Sequence, residues 1–419
     1  MSLSSMPPAL TTPASPAPAR PGRRRWTALS TTVLLVASLL FATLGTPTAR
    51  AGTLPPTTMA LGLAGPYDNN SIALAQAAGV KTGVVEMSWF DAEPAPGVFD
   101  DNYLAGIRWS VQLMQQLGFR VSLNIGVQDA PQWFLNQPGA RFVDQYGHAY
   151  TDKPVPNLVF GKQYRAQVQA YLTHVFAVIG TSFDIVRVGW GVWGELTYPY
   201  EFQPNGKIKN QYWAFDPAAQ AADPVPGWRP GDPSPHGEAS TFLTWYLNAM
   251  LEYQNWQISV LRSAGYSGPA AVLYPSFGMR PGDFQSTVAT NLSGTSNVEI
   301  NGEVQRGYDF ARLVKGLTDR NAVVYTTWAE RTEVVSYLSG LAASKGLRLM
   351  AENAGPLSQT VLNQTMNFAL LHGVSEFFLI RASDMNCVAR CNGAATLAAT
   401  GRRYQAMITN QLNKLPKTP

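Results

Sequence analysis

The run Val186-Arg-Val-Gly-Trp-Gly-Val-Trp-Gly-Glu-Leu-Thr-Tyr-Pro199 is apolar until it reaches Glu195, which stands among glycines and aromatics. A second acid, Glu352, falls 157 positions later near the end of Leu347-Arg-Leu-Met-Ala-Glu-Asn-Ala-Gly355. Each run has the length and composition of a buried strand, so each glutamate is expected at a strand end, facing a cleft. Two carboxyl groups placed in this way can cleave an acetal. One protonates the departing oxygen, and the other either activates water or attacks the carbon itself. A lone strand-end glutamate more often serves as a salt bridge or a cap, but two in aromatic, glycine-rich surroundings point to catalysis.

The elements that must carry these acids alternate along the chain. Strand-length apolar runs are expected at Met59 to Ala64, Thr82 to Trp89, Arg120 to Gly126, Phe183 to Gly189, Ala270 to Pro275, Ala322 to Trp328, Leu347 to Ala351 and Glu376 to Arg381. Between them, Tyr103 to Leu117, Lys162 to Ile179, Thr241 to Ala264 and Gln359 to His372 place apolar residues at helical spacing. Strands alternating with helices predict a parallel sheet, and eight of them predict an α/β fold, the (β/α)8 TIM barrel. Such barrels assemble their sites at the C-terminal ends of the strands. Glu86, Glu195, Glu330, Glu352, Arg381 and Asp384 all fall there. One long insertion, Tyr198 to Ser240, is dense in Pro, Gly and aromatics, among them Tyr200, Tyr212, Trp213, Phe215 and Trp228. It either offers rings to a sugar or packs a small core of its own.

The ends of the chain bound its setting. Arg23 to Arg25, an apolar stretch from Ala28 to Ala42 and Ala49-Arg50-Ala51 form a basic, hydrophobic, small-x-small pattern. Residues 1–51 are therefore expected to be a secretory signal cleaved after Ala51, with twin-arginine export or an uncleaved anchor as alternatives. Residues 52–419 are expected to form one catalytic domain, exported, soluble and monomeric. The leader holds five Arg and no acid, so the formal charge of +4 falls to about −1 without it, and nothing points to nucleic acid or to a membrane. Cys387 and Cys391 are expected to pair as a local disulfide in an oxidising compartment, or else to be two free thiols. Four His, none near these cysteines, and the absence of a glycine-rich phosphate loop leave no metal or cofactor expected.

Gly194-Glu195-Leu-Thr-Tyr-Pro199 resembles the acid motif of the beta-amylases, glycoside hydrolase family 14, and Glu352-Asn353-Ala354 resembles that family's base motif. Further matches run in order: Phe242-Leu-Thr-Trp-Tyr246, Thr327 with Glu330, and Leu379-Ile-Arg-Ala-Ser-Asp384. The resemblance implies an inverting hydrolase of an oligo- or polysaccharide, with Glu195 as general acid and Glu352 as general base. It also implies Thr327 as an inner-loop residue on the leaving side and Arg381 as a sugar contact. Trp193, Asn353 and Glu330 flank these groups and are expected to touch the carbohydrate.

The departures concentrate where substrate would lie. Glu86 stands where that family has Asp. The stretch from Asn124 to Trp133 is expected to run almost directly into the next helix, without the family's long lid, so Asp129 either stands in for the lid's Asp or caps the helix next to Pro131. The family's aromatic and lysine cluster near the fifth strand is replaced by Leu273-Tyr-Pro-Ser-Phe-Gly278. The segment Trp89-Phe-Asp-Ala-Glu-Pro-Ala-Pro-Gly-Val-Phe99 resembles beta-galactosidases of glycoside hydrolase family 42, which are retaining; on that reading Glu352 is a nucleophile. A third possibility is a secreted carbohydrate-binding barrel without turnover.

Overall fold

The computed structural model describes residues 59–65, 67, 69–295, 297–385 and 394–412. The expected leader and both cysteines, Cys387 and Cys391, lie outside them. Eight parallel strands close into a barrel in chain order: β1 (Ala60–Leu63), β2 (Thr82–Glu86), β3 (Arg120–Asn124), β4 (Ile185–Val188), β5 (Ala270–Tyr274), β6 (Ala322–Thr326), β7 (Arg348–Glu352) and β8 (Val374–Leu379). β8 returns to β1 through the pairs Ala60 with Glu376 and Leu63 with Leu379. All eight expected strands are present; β1 to β6 are shorter than their apolar runs, and β7 and β8 keep the expected length but are shifted by one and two residues. The residues beyond each strand end, such as Met87 to Trp89, turn away over the mouth.

The helices follow local signals. Asp100 caps Asp101–Gln116 by accepting from the Tyr103 amide at 2.9 Å, and Leu104, Ile107, Val111 and Met114 place one apolar face on the sheet. Lys162–Tyr164 is a 3-10 turn leading into Arg165–Ile179, so that expected helix begins with a tighter coil. Glu238–Ser263 is the longest helix described and buries Phe242, Tyr246, Met250 and Gln257 along one side.

The barrel interior is a packed layer of Val84, Ile185, Ala271, Leu273, Val323, Tyr325, Met350 and Phe378. Gly62 on β1 makes room for Phe378: a Cβ added there would lie 2.5 Å from the ring. At the N-terminal end of the barrel, Glu376 accepts from the Thr82 hydroxyl and from Arg120 Nη2 at 2.8 Å, which closes that end with a satisfied polar plug.

One expectation about the loops is corrected, and of the two alternatives left open for the insertion after β4 the packed core is the one observed. The helix after β3, Gln132–Leu135, is a single turn, and an irregular excursion pinned by the Val143 to Ala149 bridge precedes the barrel helix at Arg165. The insertion after β4 packs a core of its own. Tyr198, Tyr212 and Trp213 are fully buried, and Tyr198 stacks on Tyr246 at 3.9 Å.

Gly62→Ala is expected to overpack the interior and cost about 1–3 kcal/mol. Urea denaturation of the variant against wild type checks this, and equal midpoints would refute it.

Candidate active site

Glu195 is presented by a strained turn. At its start, Gln257 reaches in from the long helix and clamps Gly189 twice, its Oε1 accepting from the Gly189 amide at 2.7 Å and its Nε2 donating to the carbonyl at 2.9 Å. Gly189 has φ of 154°, and a Cβ there would meet the Gly194 carbonyl at 2.3 Å, so only glycine fits. Trp190 and Trp193 both hold positive φ, at 51° and 62°, a conformation that bulky residues adopt only when the surroundings impose it. The Gly191 amide then donates to the Glu195 carbonyl at 2.9 Å, and the Leu196 amide returns to β5 at Leu273. Trp190 is buried against Trp256, whereas Trp193 stands 67% exposed beside the acid, with Lys153 Nζ 4.7 Å from its ring.

The Glu195 carboxyl accepts from Thr327 Oγ1 at 2.7 Å. Burial pushes its pKa up to about 7; the Thr327 hydrogen bond opposes that, the negative Glu352 reinforces it, and Arg306 opposes it. The Arg306 guanidinium is tied to Glu303 at 2.6 Å. Glu303 also gathers the Ser276 hydroxyl and the Phe277 and Gly278 amides, so this arginine is fixed by the loop after β5.

Glu352 ends β7 and is held from within the barrel. Its Oε2 accepts from the Tyr325 hydroxyl at 2.6 Å and pairs with Arg187 Nη1 at 3.2 Å, while Arg187 Nη2 donates to the Tyr325 oxygen at 2.8 Å. Burial raises the Glu352 carboxyl above its ordinary range, Arg187 and Tyr325 pull it down, and Glu86 adds repulsion. Its two partners come from β4 and β6, the strands that also lead to Glu195 and Thr327.

The remaining expected residues separate into two groups. Glu86 is exposed at the end of β2, within electrostatic reach of Arg187, Glu352 and Asp129. Asp129 is pushed up to about 6 by burial and then by Glu86, against a 3.0 Å hydrogen bond from Gln128. It is no helix cap, since Pro131 occupies that position without a side-chain bond. Arg381 is exposed just beyond β8. Asn353 and Glu330, by contrast, brace the backbone. Asn353 is 2% exposed, donates to the Gly355 and Ile380 carbonyls and accepts from the Ile380 amide, so its amide is spent on joining β7 to β8 rather than open to a ligand. Glu330 receives the Ala354 amide on both oxygens, at 3.2 and 3.1 Å.

Arg187, Tyr325, Gln257 and Arg306 were not anticipated from the sequence. The first two carried a signal: an arginine inside Ile-Val-Arg-Val and a tyrosine inside Ala-Val-Val-Tyr-Thr need buried partners. Gln257 and Arg306 carried none, because their roles depend on where a helix and a loop return.

The protein is thus a (β/α)8 barrel with two carboxyl groups at the C-terminal ends of its strands, Glu352 buried and Glu195 half-buried. No family model matches the chain, and no curated relative matches it in sequence. Its fold is similar to the catalytic domain of beta-amylase from Paenibacillus polymyxa, with a TM-score of 0.64 at 17% identity over 85% of this chain and 100% of that one. It is also similar to beta-galactosidase from the psychrophilic Marinomonas ef1, with a TM-score of 0.56 at 12% identity over 84% of this chain and 59% of the other. The beta-galactosidase from Bacillus circulans sp. alkalophilus gives 0.54 at 12%, over 85% and 56%. The resemblance expected to both groups is present at the level of fold.

The raised Glu195 pKa makes a prediction about stability. A carboxyl whose folded pKa lies above its unfolded value contributes stability that is fully present below the unfolded pKa and is lost as pH rises through about 7. Glu195→Gln removes that loss. The variant is expected to melt a few degrees above wild type at pH 8 and to converge with it towards pH 5, as read by calorimetry; a pH-independent difference would mean the carboxyl is not held up by burial.

Proposed function

We propose that the protein is a glycoside hydrolase that cleaves O-glycosidic bonds of an oligo- or polysaccharide by inversion, with Glu195 as general acid and Glu352 as general base. The supporting observation is the unlike surroundings of the two carboxyls. Glu195 has a neutral hydroxyl as its partner and a pKa near neutrality, so at working pH it holds a proton to give to the leaving oxygen. Glu352 faces a guanidinium that is always charged, which favours the carboxylate needed to draw a proton from water. Thr327 orients the acid, Glu86 and Asp129 supply acceptors for sugar hydroxyls, Arg381 stands at the rim as a further sugar contact, and Trp193 offers a ring face to the chain. In this reading the protein acts as a monomer after export, without metal or cofactor.

A second reading is favoured by the same Arg187 pair and by the similarity to beta-galactosidases. A carboxylate kept ionised by arginine also suits a nucleophile, and Glu352 would then form a covalent glycosyl intermediate with retention.

A proton NMR time course with maltopentaose separates the two. Inversion predicts that new reducing ends appear first as the β-anomer, with turnover reduced about 10²–10⁴-fold in both Glu195→Gln and Glu352→Gln while circular dichroism is unchanged. Early α-anomer would replace inversion by retention. Turnover near wild type in either variant would remove that glutamate from its role. Cleavage of an aryl β-galactoside in place of maltopentaose would move the substrate to galactosides.

Tyr325→Phe takes one donor from Glu352 and is expected to move the acidic limb of kcat/KM to higher pH while leaving the basic limb, set by Glu195, near 7. A pH profile in which both limbs move together would contradict the separate assignments.

A further inference from the structure

The motif Phe242-Leu-Thr-Trp-Tyr246 is only partly explained by packing. Phe242 and Tyr246 are fully buried, but Trp245 lies on the flank of the long helix and borders a groove of about 370 Å³ outside the barrel mouth. The groove is formed by Trp245, Phe160, Ala222, Asn248, Glu252 and Lys162. Its volume is at the small end of the range for small-molecule sites, about 300–1,000 Å³. Phe160 fixes the indole from behind, ring centres 5.1 Å apart, and Phe242 does so edge-on at 5.5 Å. Small residues, Ala222 and Ala249, line the groove and leave its space open.

The polar groups at the rim are rigid and of mixed type. Arg165 holds both oxygens of Glu252, at 2.6 and 2.8 Å, and itself lies 4.6 Å from the centre of the Trp256 ring. Lys162 approaches the same carboxylate at 3.3 Å and remains 59% exposed. These cations hold the Glu252 carboxyl below the usual range against burial, so it stays an acceptor. Arg312 donates to Asn248 Oδ1 at 2.6 Å, which turns the amide nitrogen outward as a donor. Among the described residues the Trp245 indole N–H meets no acceptor. A flat apolar face ringed by a carboxylate, an amide, an ammonium and an indole N–H matches a pyranose, which has apolar C–H faces and a belt of hydroxyls. An apolar peptide would leave the Asn248 amide nitrogen and the Trp245 indole N–H without acceptors.

We propose that this groove is a second carbohydrate-binding site, separate from the carboxyl pair, that holds a short stretch of a polysaccharide alongside the barrel. The choice of carbohydrate rests on the proposed hydrolase function; the groove itself does not. Affinity electrophoresis of Glu195→Gln, in native gels containing soluble starch, β-glucan, galactan or xylan, reads binding without turnover. Ala222→Trp, in the same background, fills the groove from an exposed position, and Trp245→Phe removes the N–H while keeping a ring. Retardation by at least one polysaccharide, weakened about fivefold or more by Ala222→Trp and less by Trp245→Phe, is the expected result. No retardation in any gel, or retardation that both substitutions leave unchanged, overturns the site. Hydrolysis is followed separately with Glu195 intact. Hydrolysis without groove-dependent retardation sinks this inference and leaves the hydrolase standing, whereas groove-dependent retardation without hydrolysis does the reverse.

Discussion

The interaction on which the upper half of the molecule depends is the buried triangle of Arg187, Tyr325 and Glu352. A guanidinium inside a barrel is tolerable only if its charge is met; here the Glu352 carboxylate meets it at Nη1 and the Tyr325 phenol takes Nη2, while Nε has no acceptor among the described residues. The aromatic faces of Tyr325 and Phe378, each 5.0 Å from the guanidinium, enclose the rest. One cation therefore ties β4, β6 and β7 together from within. It also fixes the Glu352 carboxyl from within the barrel. Removing either side of the pair would strand a charge in an apolar layer.

The second carboxyl is positioned by different means. Glu195 is hydrogen-bonded by a hydroxyl rather than by an arginine, with Arg306 acting on it only through its charge; its place is set by backbone, through glycines that alone allow the close approach and a glutamine that pins Gly189 on both sides. The difference matters chemically, because an arginine in contact favours the ionised form and burial beside a hydroxyl favours the neutral one. Glu352 ends β7 and Glu195 lies in the turn beyond β4; burial lifts both carboxyls, but only Glu352 has a guanidinium in contact to draw it back. Asp129 and Glu86 repeat the theme at the rim, where mutual repulsion and burial lift Asp129 well above an ordinary aspartate.

The barrel was legible in the sequence because buried parallel strands announce themselves as short apolar runs, and each of the eight was found within a few residues. The overestimates at their C-terminal ends have one cause. Residues such as Met87, buried in the core, and Trp328, packed on the Phe277 ring, are apolar because the segments after the strands are packed as well, and apolarity alone does not separate a strand from the loop that follows it. The two glutamates of the candidate site were legible for the same reason, as charges ending apolar runs. The supporting residues were less so. Gln257 and Arg306 act across 68 and 111 positions of sequence, on Gly189 and Glu195, and nothing local marks them. Asn353 misled in the opposite sense: next to a strand-end glutamate it reads as a sugar ligand, but a buried amide beside two backbone strands satisfies them first. The aromatics of the insertion after β4 were ambiguous for a similar reason, since a ring that stacks on a sugar and a ring that fills a core have the same composition.

The Gln257 clamp gives the molecule an uneven tolerance to change. Loops at the mouth of a barrel are the usual place where one scaffold is adapted from one substrate to another, which works best where a loop answers only to neighbours within itself. The turn that carries Glu195 does not, because its first residue is fastened to the middle of a helix on the outer shell. Any transplant of this loop into another barrel, or of a foreign loop into this one, has to bring its helical fastening with it, so the heritable unit at this corner of the site is a loop and a distant glutamine together.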